Sequence, residues 1–229
     1  MKTVCFFVKS PRLGEAKTRL ARDIGAARAT VIYRALVEHQ AAEIPVDWRV
    51  AVYFAPSNAR EDMEIWLAPQ LQNGTRFVPQ CDGDLGKRLA TAVRREFDNG
   101  SERIYLIGGD CPALSRDYFD EADRALSDND IVLGPARDGG YVLLAIKGPH
   151  EILFRDIHWS TPAVLQQTLA AARRQALSVC LLRPLVDIDD ATSLNDQSKV
   201  FPFLRESCKR PLEVRGFLDC GNQPNRVPH

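Results

Sequence analysis

What this sequence lacks narrows the field before any motif is read. Thirty basic side chains balance thirty acidic ones in 229 residues, so no overall field draws in nucleic acid or an anionic membrane. Any anion has to be gripped locally. No run approaches the ~20 apolar residues of a membrane span, and the start has neither the apolar stretch nor the cleavage site of a signal peptide. The six cysteines (5, 81, 111, 180, 208 and 220) include no Cys-x-x-Cys pair, and the four histidines (39, 150, 158 and 229) lack zinc-site spacing. Free thiols and a cytoplasmic location are therefore expected. No Ser-His-Asp or Cys-His motif stands out, which argues against a covalent nucleophile. No linker rich in Pro, Gly or Ser interrupts the first two hundred residues, so one domain is expected over 1–208, with a loose tail at 209–229.

What is present begins with residues 3–8, a short apolar run with β-branched and aromatic side chains that suits a strand buried on both faces. A loop with Lys9, Pro11, Arg12 and Gly14 follows, and a helical pattern starts near Ala16 with Lys17 and Arg19. Cations gathered where a strand passes into a helix suit a phosphate, because ligands of open α/β sheets lie beyond the carboxyl ends of strands. The loop is not a Walker A loop, since Ala16 and Pro11 stand where that loop needs glycine. With Gly14 alone it is not a dinucleotide fingerprint either. The plainer reading is a solvated cationic loop.

Further on, strands alternate with helices. Leu20, Ile24, Ala27, Val31 and Ala35 predict one long helix to about Ala42. Strands are expected at 49–54, 76–79, 103–107, 131–136, 141–146 and 178–182. Helices are expected between Ser57 and Pro69, from Leu85 to Phe97, from Ser115 to Leu126, from Thr161 as cap through 163–174, and from Ala191. Strand 103–107 delivers Gly108-Gly109-Asp110, and an aspartate there is a good Mg²⁺ ligand; its alternative is a turn cap before Pro112. In Leu185-Val-Asp187-Ile188-Asp189-Asp190, an extended chain puts Asp187 and Asp189 on one side. They form a second ligand candidate, unless Asp189 or Asp190 simply caps the next helix. Arg137-Asp138-Gly139-Gly140-Tyr141 reads equally as a plain hairpin turn or as an acceptor pocket in which Tyr141 offers a stacking face. His158 and Trp159 line a site or, more plainly, pack.

Taken together, Lys9-x-Pro11-x-x-Gly14-x-x-Lys17-Thr18-Arg19-Leu20, Gly83-Asp84-Leu85-Gly86-x-Arg88, Gly108-Gly109-Asp110-Cys111-Pro112, Gly134-Pro135-x-x-Asp138-Gly139-Gly140-Tyr141 and Asp187-Ile188-Asp189 carry a resemblance. Over roughly residues 2–200 the chain resembles an uncharacterised bacterial family of glycosyltransferase-A-like proteins, often labelled selenodomain-associated transferases. That family is similar to the phospholactate and molybdopterin guanylyltransferases of the nucleotide-diphospho-sugar transferase superfamily. The resemblance implies a Rossmann-like α/β/α sandwich with a mostly parallel mixed sheet, binding a nucleotide and Mg²⁺ or Mn²⁺ at its carboxyl edge. It implies phosphate contacts from Lys9, Gly14, Lys17 and Arg19, and base or ribose contacts from Gln80, Asp84, Gly86 and Arg88. Asp110 with Asp187 or Asp189 would hold the metal. Lys17, Asp110 and Asp138 would act in catalysis, with Gly139, Gly140, Tyr141 and Trp159 around the acceptor. The chain departs from nucleotidyltransferases proper in having Val8-Lys9-Ser10-Pro11 where they carry a glycine-rich loop.

The function expected is metal-dependent transfer from an activated nucleotide to a small acceptor, with nucleotidyl transfer ahead because several cations suit a triphosphate. Glycosyl transfer from a nucleotide sugar and a non-catalytic nucleotide-binding module are the alternatives. The partners expected are a nucleotide or nucleotide-sugar donor and a small molecule, without nucleic acid or membrane and with room for a homodimer.

Overall fold

Strand β1 (Lys2–Lys9) shows how the core is divided. Its alternate residues Val4, Phe6 and Val8 enter one apolar cluster, while Cys5 enters another on the opposite face, as the two-residue period of a strand requires. Its neighbours split the same way. On β2 (Arg49–Ala55), Val50, Val52 and Phe54 join the first cluster and Ala51 and Tyr53 the second. On β4 (Arg103–Ile107), Tyr105 and Ile107 oppose Ile104 and Leu106. Strands buried on both faces need helices on both faces, which is why these runs are almost wholly apolar.

The computed structural model describes residues 1–207; the expected tail at 209–229 lies outside the described residues. With β3 (Arg76–Pro79), β5 (Ile131–Pro135), β6 (Tyr141–Ile146) and β7 (Val179–Leu181), the strands form one seven-stranded sheet in the order β3-β2-β1-β4-β6-β5-β7. Every pairing is parallel except those of β6, which runs antiparallel between β4 and β5. Helices α2 (Ala26–Glu43), α3 (Arg60–Leu67) and α5 (Arg116–Asp128) cover one face through Tyr33, Val37, Met63, Trp66, Tyr118 and Phe119. Helices α4 (Leu85–Asp98) and α6 (Val164–Arg174) cover the other through Leu89, Val93, Leu169 and Ala172. The result is the expected three-layer, Rossmann-like sandwich of the nucleotide-diphospho-sugar transferase type. A smaller apolar cluster joins α1 (Thr18–Ile24) and α2 to α7 (Ala191–Val200) and α8 (Pro202–Ser207) beside the sheet. No helix of the described residues is long and apolar enough to cross a membrane.

Two expectations are corrected. The long helix after the first loop is broken at Gly25, whose φ of +87° ends α1 and opens α2. The break resets the helical phase. Ala27 is exposed and Val31 and Ala35 are only half-buried, whereas Ala29, Ile32, Leu36 and Val37 are buried. The helix expected over 163–174 is present as Val164–Arg174, but its cap position is Ala163 and not the expected Thr161. Its first turn is held by the hairpin, because Leu165 donates its N–H to the Gly139 carbonyl at 2.9 Å, and the Thr161 hydroxyl accepts only from Ala163 at 3.3 Å.

The hairpin joining β5 to β6 leaves no room over its own face. A Cβ on Gly134 would lie 2.5 Å from the Tyr118 hydroxyl, and Tyr118 is 1% exposed, with that hydroxyl bonded to the Arg183 carbonyl at 2.9 Å. Gly134→Ala is expected to destabilise the protein by about 1–3 kcal/mol through overpacking. Urea unfolding should show a lower midpoint at an unchanged slope.

Candidate functional site

All the parallel strands end at one edge of the sheet, and β6 starts there, so the loops after β1, β3, β4 and β7 and the β5–β6 hairpin meet in one place. After β4 the chain passes under α2 through Gly109, where a Cβ would lie 2.7 Å from Val37. Asp110 follows directly. Its carbonyl accepts the Ile188 N–H at 2.9 Å, and the Leu185 carbonyl accepts the Arg137 N–H at 3.1 Å. These two backbone bonds draw residues 185–189 in between β4 and the hairpin. The segment is extended, so Ile188 is buried while Asp187 and Asp189 turn toward Asp110. Asp190 does the capping instead, accepting the Ser193 N–H at 2.8 Å in a reciprocal capping box at the start of α7.

One carboxylate oxygen from each of Asp110, Asp187 and Asp189 lies within 4.8 Å of the other two. Three partly exposed carboxylates at this spacing suit a small hard divalent cation that keeps water in its remaining positions, as Mg²⁺ and Mn²⁺ do. The arrangement fits the metal that the sequence led us to expect. Burial, and then the charges of Asp110, Asp138 and Asp189, push the Asp187 carboxyl up to about 6.

Lys17 is the cation of this cluster. Its ammonium lies 2.6 Å from Asp189 Oδ1 and 3.1 Å from Asp110 Oδ2, and its side chain is only 8% exposed. Burial works against the charge, but Asp110 and Asp189 outweigh it and hold the lysine protonated well above its ordinary range. Lys17 takes φ +49°, rare for a residue with a side chain, as it caps α1.

A cleft of about 590 Å³ opens over these groups. Of the expected phosphate contacts, Lys9, Lys17 and Arg19 line it, whereas Gly14 turns the loop at φ +79° outside the lining. Gln80 and Arg88 line it too, and a smaller cavity of about 350 Å³ runs from them past Ser57 and Asp82. Gln80 is fixed by donating to the Tyr53 carbonyl at 2.9 Å and accepting from Arg88 at 3.3 Å. Asp84 caps α4 through the Lys87 N–H at 2.8 Å. Gly86 serves packing, since a Cβ there would lie 2.6 Å from the Trp159 ring nitrogen. On the far wall stand Asp138, Gly140, Tyr141 and Trp159, with the Tyr141 and Trp159 rings edge to face at 6.5 Å. Gly139 is pressed against Pro162. Thus 136–140 is both a hairpin turn and a wall of the cleft. His158 is not part of the lining and is bonded to Gln167 at 2.9 Å.

Sequence reasoning missed three residues that shape the site. The buried Tyr33 hydroxyl accepts from the Lys9 N–H at 2.7 Å and donates to the Lys9 carbonyl at 3.0 Å, pinning the first loop. Ser160 and Thr161 join the wall beside Trp159. Nothing local marks Tyr33, which sits mid-helix; the Thr161 hydroxyl carries a signal that reads as a helix cap, and Ser160 carries none.

A family described as "Uncharacterized protein conserved in bacteria (DUF2064)" matches residues 37–161, more than half of the chain. No curated protein matches. Among solved structures, a protein from Desulfovibrio desulfuricans G20, provisionally described as a nucleotide-diphospho-sugar transferase, is 30% identical with a TM-score of 0.79, covering 87% of this chain and 87% of its own. The 4-diphosphocytidyl-2C-methyl-D-erythritol synthase of Anaerococcus prevotii DSM 20548 is 11% identical (TM-score 0.57, 88% and 99% covered). A CMP:2-keto-3-deoxy-manno-octonic acid synthetase complexed with CTP is 10% identical (TM-score 0.56, 88% and 98% covered). These last two share the fold.

Cys111, next to Asp110, is 3% exposed, and burial followed by the Asp110 charge pushes its thiol up to about 12. Buried and held as the thiol, Cys111 should stay unalkylated by iodoacetamide in native protein while the partly exposed Cys81 reacts. Peptide mass spectrometry before and after denaturation checks this; native-state labelling of Cys111 would contradict the packing described.

Proposed function

The chain belongs to this bacterial family, DUF2064, and we propose that it is a metal-dependent transferase using an activated nucleotide, with nucleotidyl transfer from a nucleoside triphosphate to a small acceptor as its reaction. The observation that carries the reading is the convergence of Asp110, Asp187 and Asp189 on a cleft whose one wall holds Lys9, Lys17, Arg19 and Arg88. Carboxylates that take a divalent ion beside cations that take phosphate oxygens suit a polyphosphate bound as its metal complex. Two structural neighbours with the same fold, a 4-diphosphocytidyl-2C-methyl-D-erythritol synthase and a CMP:2-keto-3-deoxy-manno-octonic acid synthetase complexed with CTP, add to that support.

In this reading the donor's phosphates lie along Lys9, Lys17 and Arg19, and the base lies toward Gln80 and Arg88 over the smaller cavity. The acceptor stands against Tyr141 and Trp159. Its oxygen attacks the α-phosphorus, the bond from that phosphorus to the bridging oxygen breaks, and pyrophosphate departs with the electron pair. Asp138, held by the Gly140 N–H at 2.9 Å, takes the acceptor's proton. A bound divalent ion would supply charge neutralisation for the phosphoryl oxygens. The protein's own contribution is alignment and a set of cations that stand against the phosphates once the donor is bound, so that charge moving to the leaving group is met in place.

Glycosyl transfer is the second reading, favoured by the description of the 30% identical D. desulfuricans protein. The two differ in the product that leaves: pyrophosphate in one, a nucleoside diphosphate in the other. Purified protein is first screened by thermal shift with nucleoside triphosphates and nucleotide sugars, with and without Mn²⁺. A ligand at a hundred times its dissociation constant adds about 2.7 kcal/mol, enough to see. The leaving product is then measured with the best donor. Asp110→Ala is expected to lower turnover on the order of 10³-fold with the fold retained. An absence of metal-dependent stabilisation by every donor would sink both readings.

A further inference from the structure

The ammonium of Lys17 and a divalent ion make the same demand on the protein. Lys17 Nζ lies within hydrogen-bond distance of Asp110 Oδ2 and Asp189 Oδ1, and these are two of the three carboxylates whose oxygens converge. A divalent ion bound at the ~2.0–2.1 Å typical of Mg²⁺ to both would take the space between them that the ammonium fills. Two cations so close on two shared carboxylates repel. Lys17 has somewhere to go, since it lines the cleft of about 590 Å³ itself.

We propose that Lys17 is a stand-in cation: it holds Asp110 and Asp189 together before substrate arrives, is displaced when the divalent ion binds, and then moves onto the donor's phosphates. The inference rests on the metal-dependent reading above and adds a coupling to it. Metal alone has to evict a paired lysine and binds weakly. Metal arriving with a polyphosphate binds well, because the evicted lysine regains a partner of negative charge. By linkage the two ligands then strengthen each other. Lys17 thus makes the site answer to the metal–nucleotide complex rather than to free metal.

The test measures binding of Mn²⁺ alone, from the electron paramagnetic resonance signal of the free ion, to wild-type protein, Lys17→Gln and Lys17→Arg. Lys17→Gln should bind Mn²⁺ at least tenfold more tightly than wild type, whereas Lys17→Arg, which keeps the charge, should not. For a nucleoside triphosphate presented with Mn²⁺ the sign reverses, and Lys17→Gln should bind at least tenfold more weakly. A residue that merely supported the fold would weaken both. A second measurement uses only the wild-type protein: acetylation of Lys17 by an N-hydroxysuccinimide ester, followed by peptide mass spectrometry, should rise when Mn²⁺ is added while labelling of the exposed Lys87 stays constant. Unchanged Mn²⁺ affinity in Lys17→Gln, or, should that variant not fold, unchanged Lys17 labelling in wild type, overturns the proposal. If wild type still binds metal and nucleotide together, only this inference falls; if no folded form binds Mn²⁺ under any condition, the metal-dependent reading falls with it.

Discussion

Placing three carboxylates side by side is the constraint on which this edge of the protein depends. Two such charges 4 Å apart repel by about 4 kcal/mol at an effective dielectric near 20, and here one oxygen from each of three lies within 4.8 Å of the others. The chain meets this repulsion with structure on every side. Lys17 is buried between Asp110 and Asp189, and the Ile188–Asp110 and Arg137–Leu185 backbone bonds hold the segments in place. On Asp187, burial first and then the charges of Asp110, Asp138 and Asp189 push the carboxyl up to about 6. A cluster that native packing maintains against its own repulsion is ready for a cation.

The rest of the architecture can be seen as the scaffold for that edge. Strands buried on both faces form a stiff sheet whose parallel members all end together, and the single antiparallel strand β6 brings the Asp138 hairpin to the same edge. Close approaches fix the remaining parts: Gly109 beneath Val37, Gly86 against Trp159, and Gly139 against Pro162. Each glycine removes a side chain where two elements must touch. The cleft is thereby asymmetric, with cations on the β1 and α4 side and aromatic and hydroxyl groups on the hairpin and α6 side. Such asymmetry suits a charged donor and a differently built acceptor.

Much of this was legible in the residues. The apolar run 3–8, the Gly108-Gly109-Asp110 exit and the alternation of Asp187, Ile188 and Asp189 are local patterns, and local patterns report strand burial and side-chain direction faithfully. The helix after the first loop was misphased because the apolar spacing from Leu20 to Ala35 could be drawn straight through Gly25. Only the turn there, fixed by the packing of α1 and α2, decides which residues face inward. Tyr33 was invisible for a related reason, since its hydroxyl finds Lys9 across a distance that no sequence spacing encodes.

By itself, then, the sequence determined the alternation of strands and helices, the sheet type, and the identity of the chemical groups: cations near the start, carboxylates at 110, 138, 187 and 189. The tertiary structure decided how those groups pair. Lys17, expected to reach for phosphate, is held instead by two of the carboxylates expected to hold metal, and Gly86, expected at a nucleotide, makes room for Trp159. The physical reason is that composition and spacing set which charges and shapes are available, whereas Coulomb forces and close packing act over a few ångströms and depend on distances that only the folded chain defines.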